Sequence, residues 1–166
     1  MRDMGAVPAR PARPVASPWQ GAGVRANNGA MDADELYRRW LFDAWSGDYA
    51  VLDEIMAADF VGHWPATEVR GRGEAADQIR HSRHLFSDIV NTLDVGPVVG
   101  GDTVAARWTF HGTYQGGVPG AMASPGTRVS FVGHDIFRVA GGRLAEYWVV
   151  SDGVGLMTAR GAFGDS

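Results

Sequence analysis

The chain has 166 residues, 45% of them hydrophobic and 20% charged, which fits one globular domain long enough to bury a sizeable core. Its net charge of -4 gives no electrostatic reason to expect nucleic acid or an anionic membrane as partner. The absence of cysteine excludes disulfides, thiolate catalysis and cysteine-ligated metals; no apolar run approaches bilayer-spanning length, and the expected compartment is cytoplasmic.

Residues 1–30 carry Pro8, Pro11, Pro14 and Pro18 and the arginines 2, 10, 13 and 25 among Gly, Ala and Asn filler, so the segment reads as a disordered, solvated tail. The folded domain is expected over 31–160, with 161–166 as a C-terminal tail. Asp32-Ala-Asp-Glu35 resembles a capping box. The helix it opens runs to about Trp45, with Leu36, Trp40, Leu41 and Ala44 on one stripe. Gly47-Asp48 ends it, and a short second helix over 49–57 carries Leu52, Ile55 and Met56. Phe60 to Pro65 is a short strand entering a loop. Gly71 and Gly73 precede a third helix from Glu74 to about Phe86, with Ile79 and Leu85 facing inward.

The pattern then changes to period two. Strands are expected over 89–99, 104–115, 128–139 and 144–152, joined by Gly100-Gly101-Asp102, by the long Gly- and Pro-rich loop 116–126, and by the Gly141-Gly142 turn. Residues 153–166 read as a short helix and a tail. Helices first and antiparallel strands after make an α+β domain. A curved sheet with helices across one face forms a cone whose mouth can hold a small molecule.

One acid, Asp135, stands in the apolar fabric of the last hairpin, on the same strand face as Phe131, Phe137 and Val139. A carboxylate there is expensive unless it is paired, protonated or used. The alternative is a structural Asp paired to a neighbouring strand. The register of the hairpin decides what Asp135 meets. A two-residue turn sets it opposite Trp148 and turns Tyr147 to the other face; a three-residue loop with a bulge sets it opposite Val149, with Tyr147 a diagonal neighbour.

Trp45-Ser-Gly-Asp48, Ala58-Asp-Phe-Val-Gly-His63, Val104-Ala-Ala-Arg-Trp-Thr-Phe-His-Gly-Thr113, Pro125-Gly-Thr-Arg-Val129, Asp135-Ile-Phe-Arg-Val139, Gly142-Arg-Leu-Ala-Glu-Tyr-Trp148 and Asp152-Gly-Val-Gly-Leu156 follow one another in this order. Together they resemble the SnoaL-like polyketide and ester cyclases of the nuclear transport factor 2-like superfamily, over residues 32 to about 160. The resemblance implies N-terminal helices packed on a curved antiparallel sheet, a hydrophobic small-molecule substrate and ring closure by aldol chemistry without metal or cofactor. It also implies an acid/base Asp on the last strand and a His on the strand before it. Here the last-strand position falls on Val149, the His before it on Tyr147, and Asp135 stands where the preceding strand would carry His, beside His134. Either the acid has crossed the hairpin to Asp135 or the reaction differs. The register with Asp135 opposite Val149 is the one the resemblance favours.

The expected catalytic set is therefore Asp135, Tyr147 and His63: an acid/base carboxyl, a phenol able to donate to a developing enolate oxygen, and an imidazole where this fold opens its cavity. Trp64, Arg107, His111 and Ser151 are expected to contact substrate, with Arg107 and His111 on a polar strand face that lines either cavity or outer surface. The opposite face, Ala106, Trp108 and Phe110, must be buried. His81 and His84 could chelate, but no third ligand accompanies them, and a solvated helix face is the better reading. No phosphate loop, dinucleotide fingerprint, nucleophile elbow or zinc-protease helix is present. Glu146 and Trp148 alternate with Tyr147 and suit a homodimer surface on the sheet. Three functions are carried forward: ring closure on a polyketide-derived or polycyclic molecule, epoxide opening or hydration in the same pocket, and non-catalytic ligand binding.

Overall fold

A computed structural model describes residues 31–65, 67–118 and 123–151. The Pro/Arg-rich segment 1–30, the expected helix and tail after Ser151, and part of the 116–126 loop lie outside the described residues. Asp32 caps the first helix, α1 (Ala33–Arg38), its carboxylate accepting from the Glu35 backbone N–H at 2.8 Å. The helix continues as a π-helical segment, Arg39–Ala44, so Leu36, Tyr37, Trp40, Leu41 and Ala44 form one buried stripe. Next come α2 (Val51–Ile55), β1 (Met56–Trp64), β2 (Thr67–Arg70) and α3 (Gly71–His84), then β3 (Phe86–Gly100), β4 (Thr103–Tyr114), β5 (Arg128–Ala140) and β6 (Arg143–Ser151).

The six strands form one curved, unclosed sheet in the order β2-β1-β6-β5-β4-β3. Pairing is antiparallel except between β1 and β6, which run parallel with Gly62 beside Tyr147 and His63 beside Trp148. Register shifts along β3 supply local bending of the sheet. This is the α+β architecture expected, with three differences. Strand replaces helix from Met56, because Met56 pairs with Leu144 of β6. β2 is added; four residues with only Val69 buried are too few to carry a period. α3 starts at Gly71 instead of Glu74, and Glu74 accepts from the Arg70 backbone N–H at 2.8 Å across the helix start.

The helices cover the concave face, and aromatic rings fill the space between them. Trp40 packs against Phe137 (5.3 Å between centroids) and Tyr147 (5.2 Å), Phe137 stacks on Tyr147 (4.4 Å), and Tyr37 meets Phe137 edge-on. The convex face has no helix over it among the described residues and carries ion pairs and exposed aliphatics. No described helix is long and apolar enough to cross a membrane.

Candidate active site

The β5–β6 turn places Gly141 and Gly142 at φ 58° and 71°, the left-handed region a tight hairpin needs. Pairing then runs Val139 to Leu144 and Arg138 to Glu146, so Ala145 is one extra residue on β6. This bulge sets Asp135 opposite Val149 and Phe137 opposite Tyr147. Asp135 and Tyr147 thereby share the concave face, the second of the two registers considered above.

Asp135 is 2% exposed and is the one buried charged side chain among the described residues. The Tyr147 hydroxyl donates to its Oδ1 at 2.8 Å, and the Tyr37 hydroxyl donates to its Oδ2 at 3.1 Å. The indole N–H groups of Trp108 and Trp40 stand close enough to favour the carboxylate, but neither completes a hydrogen bond to any described group. Burial outweighs these donors and pushes the Asp135 pKa from 3.8 up to about 6. Burial, and then the charge of Asp135, hold both Tyr147 and Tyr37 far up as neutral phenols.

The carboxyl opens on an apolar cavity of about 220 Å³. Trp45, Trp64, Phe86, Trp108, Phe110 and Phe131 form its aromatic walls; Leu41, Leu85, Pro65 and Val149 fill between them; Ser82, Asn91 and Ser151 add polar points beside Asp135 and Tyr147. No Lys, Arg or His is among the described lining residues. Two walls rest on glycines. A Cβ on Gly62 would fall 2.2 Å from the Trp64 ring, and one on Gly133 would fall 2.1 Å from the Trp108 ring. Only glycine lets those indoles lie flat against the sheet.

Of the residues expected from sequence, Asp135, Tyr147, Trp64 and Ser151 meet in this cavity. Three others require correction. His63 lies on the convex face, because its register partner is Trp148, which alternates with Tyr147. Its ring stacks on Trp148 at 5.4 Å, and Nε2 is 3.0 Å from Glu146 Oε1. Arg107 pairs with His134 in register, one step out of phase with Asp135, and its guanidinium donates to Asp94 at 2.7 Å on the convex face. His111 alternates with Arg107 and Thr109 on that side and adds to the positive field at Asp94. Asp94 is held below the usual carboxylate range, first by the Thr109 hydroxyl at 2.6 Å and by Arg107 among the further causes. Tyr37, Trp40 and Trp108 are the residues that sequence reasoning missed as neighbours of Asp135. Tyr37 and Trp40 belong to the helical stripe and read there as core; Trp108 reads as buried wall. Its indole N–H, a donor in need of a partner, was the available signal. Among the described residues no group of three or more His, Asp or Glu is placed to hold a metal ion.

A helix-covered curved sheet with one buried acid among the described residues, lining an apolar cavity, defines a small-molecule pocket protein of the nuclear transport factor 2-like fold. The model of the SnoaL-like polyketide cyclase family matches residues 35–160, and the chain belongs to that family. Among solved structures, TsrD from Streptomyces laurentii is 32% identical, with 80% of this chain and 99% of that one covered and a TM-score of 0.68. IdmH from Streptomyces antibioticus, described as a candidate polyketide cyclase, is 29% identical over 73% of this chain and 93% of its own, with a TM-score of 0.61. A SnoaL-like protein of Jannaschia sp. CCS1 shares the fold at 23% identity, with 77% and 90% coverage and a TM-score of 0.68. A comparison with curated proteins finds no match.

Proposed function

We propose that this protein is a cofactor-independent acid/base enzyme that closes a ring on a hydrophobic, polyketide-derived or polycyclic molecule. The observation that carries this reading is Asp135: fully buried, open to an aromatic cavity, held by two phenols, and with a pKa raised to about 6. Such a carboxylate is ionised at neutral pH yet more basic than a solvated one, which suits it to take a proton from carbon. It removes the proton beside a substrate carbonyl, and the C–H electron pair becomes the enolate. The enolate carbon then bonds to a second carbonyl carbon of the same molecule, and the resulting alkoxide recovers the proton from Asp135. Tyr147 and Tyr37 hold the two carboxyl oxygens and so fix its direction.

Family membership and the likeness to IdmH support ring closure. The family's acid position, Val149, lies directly across the ladder from Asp135. The carboxyl therefore reaches the same wall from the neighbouring strand, which favours catalysis over simple binding. Epoxide opening would need a second acid or an Arg at Asp135: Arg107 faces away and the described cavity lining holds no second acid, while Asp152, the other candidate, is outside the described residues. A cytoplasmic homodimer joined through the convex face completes the reading, since Ile136, Trp148 and Val150 are exposed there; sedimentation should show a dimer that Trp148→Glu dissociates.

The test needs no knowledge of the natural substrate. 2-Tetralone is a bicyclic ketone with an acidified benzylic C–H. The protein should accelerate exchange of that hydrogen for deuterium in D2O, followed by proton NMR, and Asp135→Asn should slow it about 100-fold or more. Exchange no faster than in buffer, or unchanged in Asp135→Asn, sinks the reading.

A further inference from the structure

When Asp135 takes a proton from carbon, negative charge collects on the substrate carbonyl oxygen. That oxygen needs a donor, and both phenol hydroxyls beside Asp135 are already committed to the carboxyl. Two buried side-chain nitrogens beside the same carboxyl, Trp40 Nε1 and Trp108 Nε1, complete no hydrogen bond among the described residues. A buried donor in that condition carries an unmet desolvation penalty, which a ligand oxygen would relieve. Trp40 is fully buried and does not line the cavity; Trp108 does.

We infer that Trp108 is the oxyanion donor of this pocket: its Nε1–H receives the carbonyl oxygen of a ketone- or ester-type ligand whose acidified C–H faces Asp135. The placement is built from several elements. Trp108 pairs with Gly133 and Ala106 with Asp135, so the indole and the carboxyl rise from adjacent strands of one face, two residues apart along the ladder. The indole lies flat because Gly133 offers no Cβ, and Phe131 closes against it edge-on at 6.0 Å. Ring, seat and neighbour together hold the indole in the cavity wall, with its N–H beside the Asp135 carboxyl. A preorganised donor needs no reorientation as charge develops, which is the condition under which such a group stabilises a transition state. The assignment also specifies the ligand. It must carry a carbonyl oxygen on the carbon next to the one that loses its proton, and a hydrocarbon of the same shape lacks the contact.

This inference rests on the proposed acid/base role of Asp135, and the experiment separates the two. Full-length protein labelled with 15N-tryptophan is titrated with 2-tetralone and, separately, with tetralin, the same bicycle without the oxygen. The Trp108 Nε1–H resonance, assigned as the signal missing from Trp108→Phe, should move downfield with the ketone and not with tetralin. Trp108→Phe should weaken 2-tetralone binding about tenfold, while tetralin affinity changes far less. If that variant does not fold, the resonance is assigned instead by triple-resonance correlation in wild type, and the titration pair still decides. No shift with the ketone, whether or not it binds, or an equal shift with tetralin, overturns the inference. A ketone-specific shift without Asp135-dependent deuterium exchange would instead leave the donor in place and remove the catalytic role.

Discussion

The two faces of this one sheet use the same residue types to opposite ends. On the concave face a single acid is stripped of water, meets two phenols and two indoles, and has its pKa raised to about 6. On the convex face Asp94 and Glu146 meet Arg107, Arg138, His63 and hydroxyl partners, and both are held below the ordinary carboxylate range, chiefly by hydrogen bonds. Solvent screens the second set, so its ion pairs contribute little individually. Water is excluded from the first set, so each contact there changes the proton affinity of one group. Chemistry follows burial more closely than it follows the number of charged side chains in reach.

The strongest way to break this contrast is to neutralise the buried acid. Asp135→Asn is expected to slow deuterium exchange about 100-fold or more, while the equivalent change on the other face, Asp94→Asn, leaves exchange within about twofold of wild type. Stability against pH comes next. Because the folded pKa of Asp135 lies above its unfolded value, the folded state binds this proton more tightly. That contribution is fully present below pH 3.8 and is lost as pH rises through about 6, a change on the order of 3 kcal/mol between the two limits. Urea unfolding of wild type and Asp135→Asn across this window should show the difference between them shrink as pH falls. Exchange activity should run the other way, rising through about pH 6 as the carboxylate forms. Tyr147→Phe removes the donor to Oδ1. It should cost about 2 kcal/mol in denaturant unfolding and carry the midpoint of the activity profile upward, because less then favours the charged form. The smallest effect sharpens the contrast from the other side: His63→Ala and His111→Ala should leave the pH profile of exchange unchanged, and a moved midpoint would return those residues to the site.

Much of this was legible in the chain. The Gly141-Gly142 turn, the alternation of β5 and β6 and the lone acid in an apolar strand identify the hairpin and its candidate group. The bulge at Ala145 was one of two registers the turn allowed. What could not be read was lateral. His63 sits on a short strand whose face depends on its neighbour, and that neighbour proved to be β6, paired in parallel from more than 80 residues away. Arg107 and His111 lie on a strand that alternates cleanly between polar and apolar sides. Its polar side faces outward because Ala106, Trp108 and Phe110 take the inner one. Tyr37 reaches Asp135 across 98 residues of sequence, through a helix packed onto the sheet. Local periodicity has no access to contacts of that kind.

The glycine seats under Trp64 and Trp108 carry a consequence for engineering. The width of the cavity is governed from behind its walls, by the two places where a methyl group is missing. A methyl at either position would push an indole off its seat and trim the void, and at Gly133 it would also shift the Trp108 N–H. Gly62 thus acts as an adjusting screw for ligand size behind Trp64, whereas at Gly133 capacity and the placement of the Trp108 donor change together.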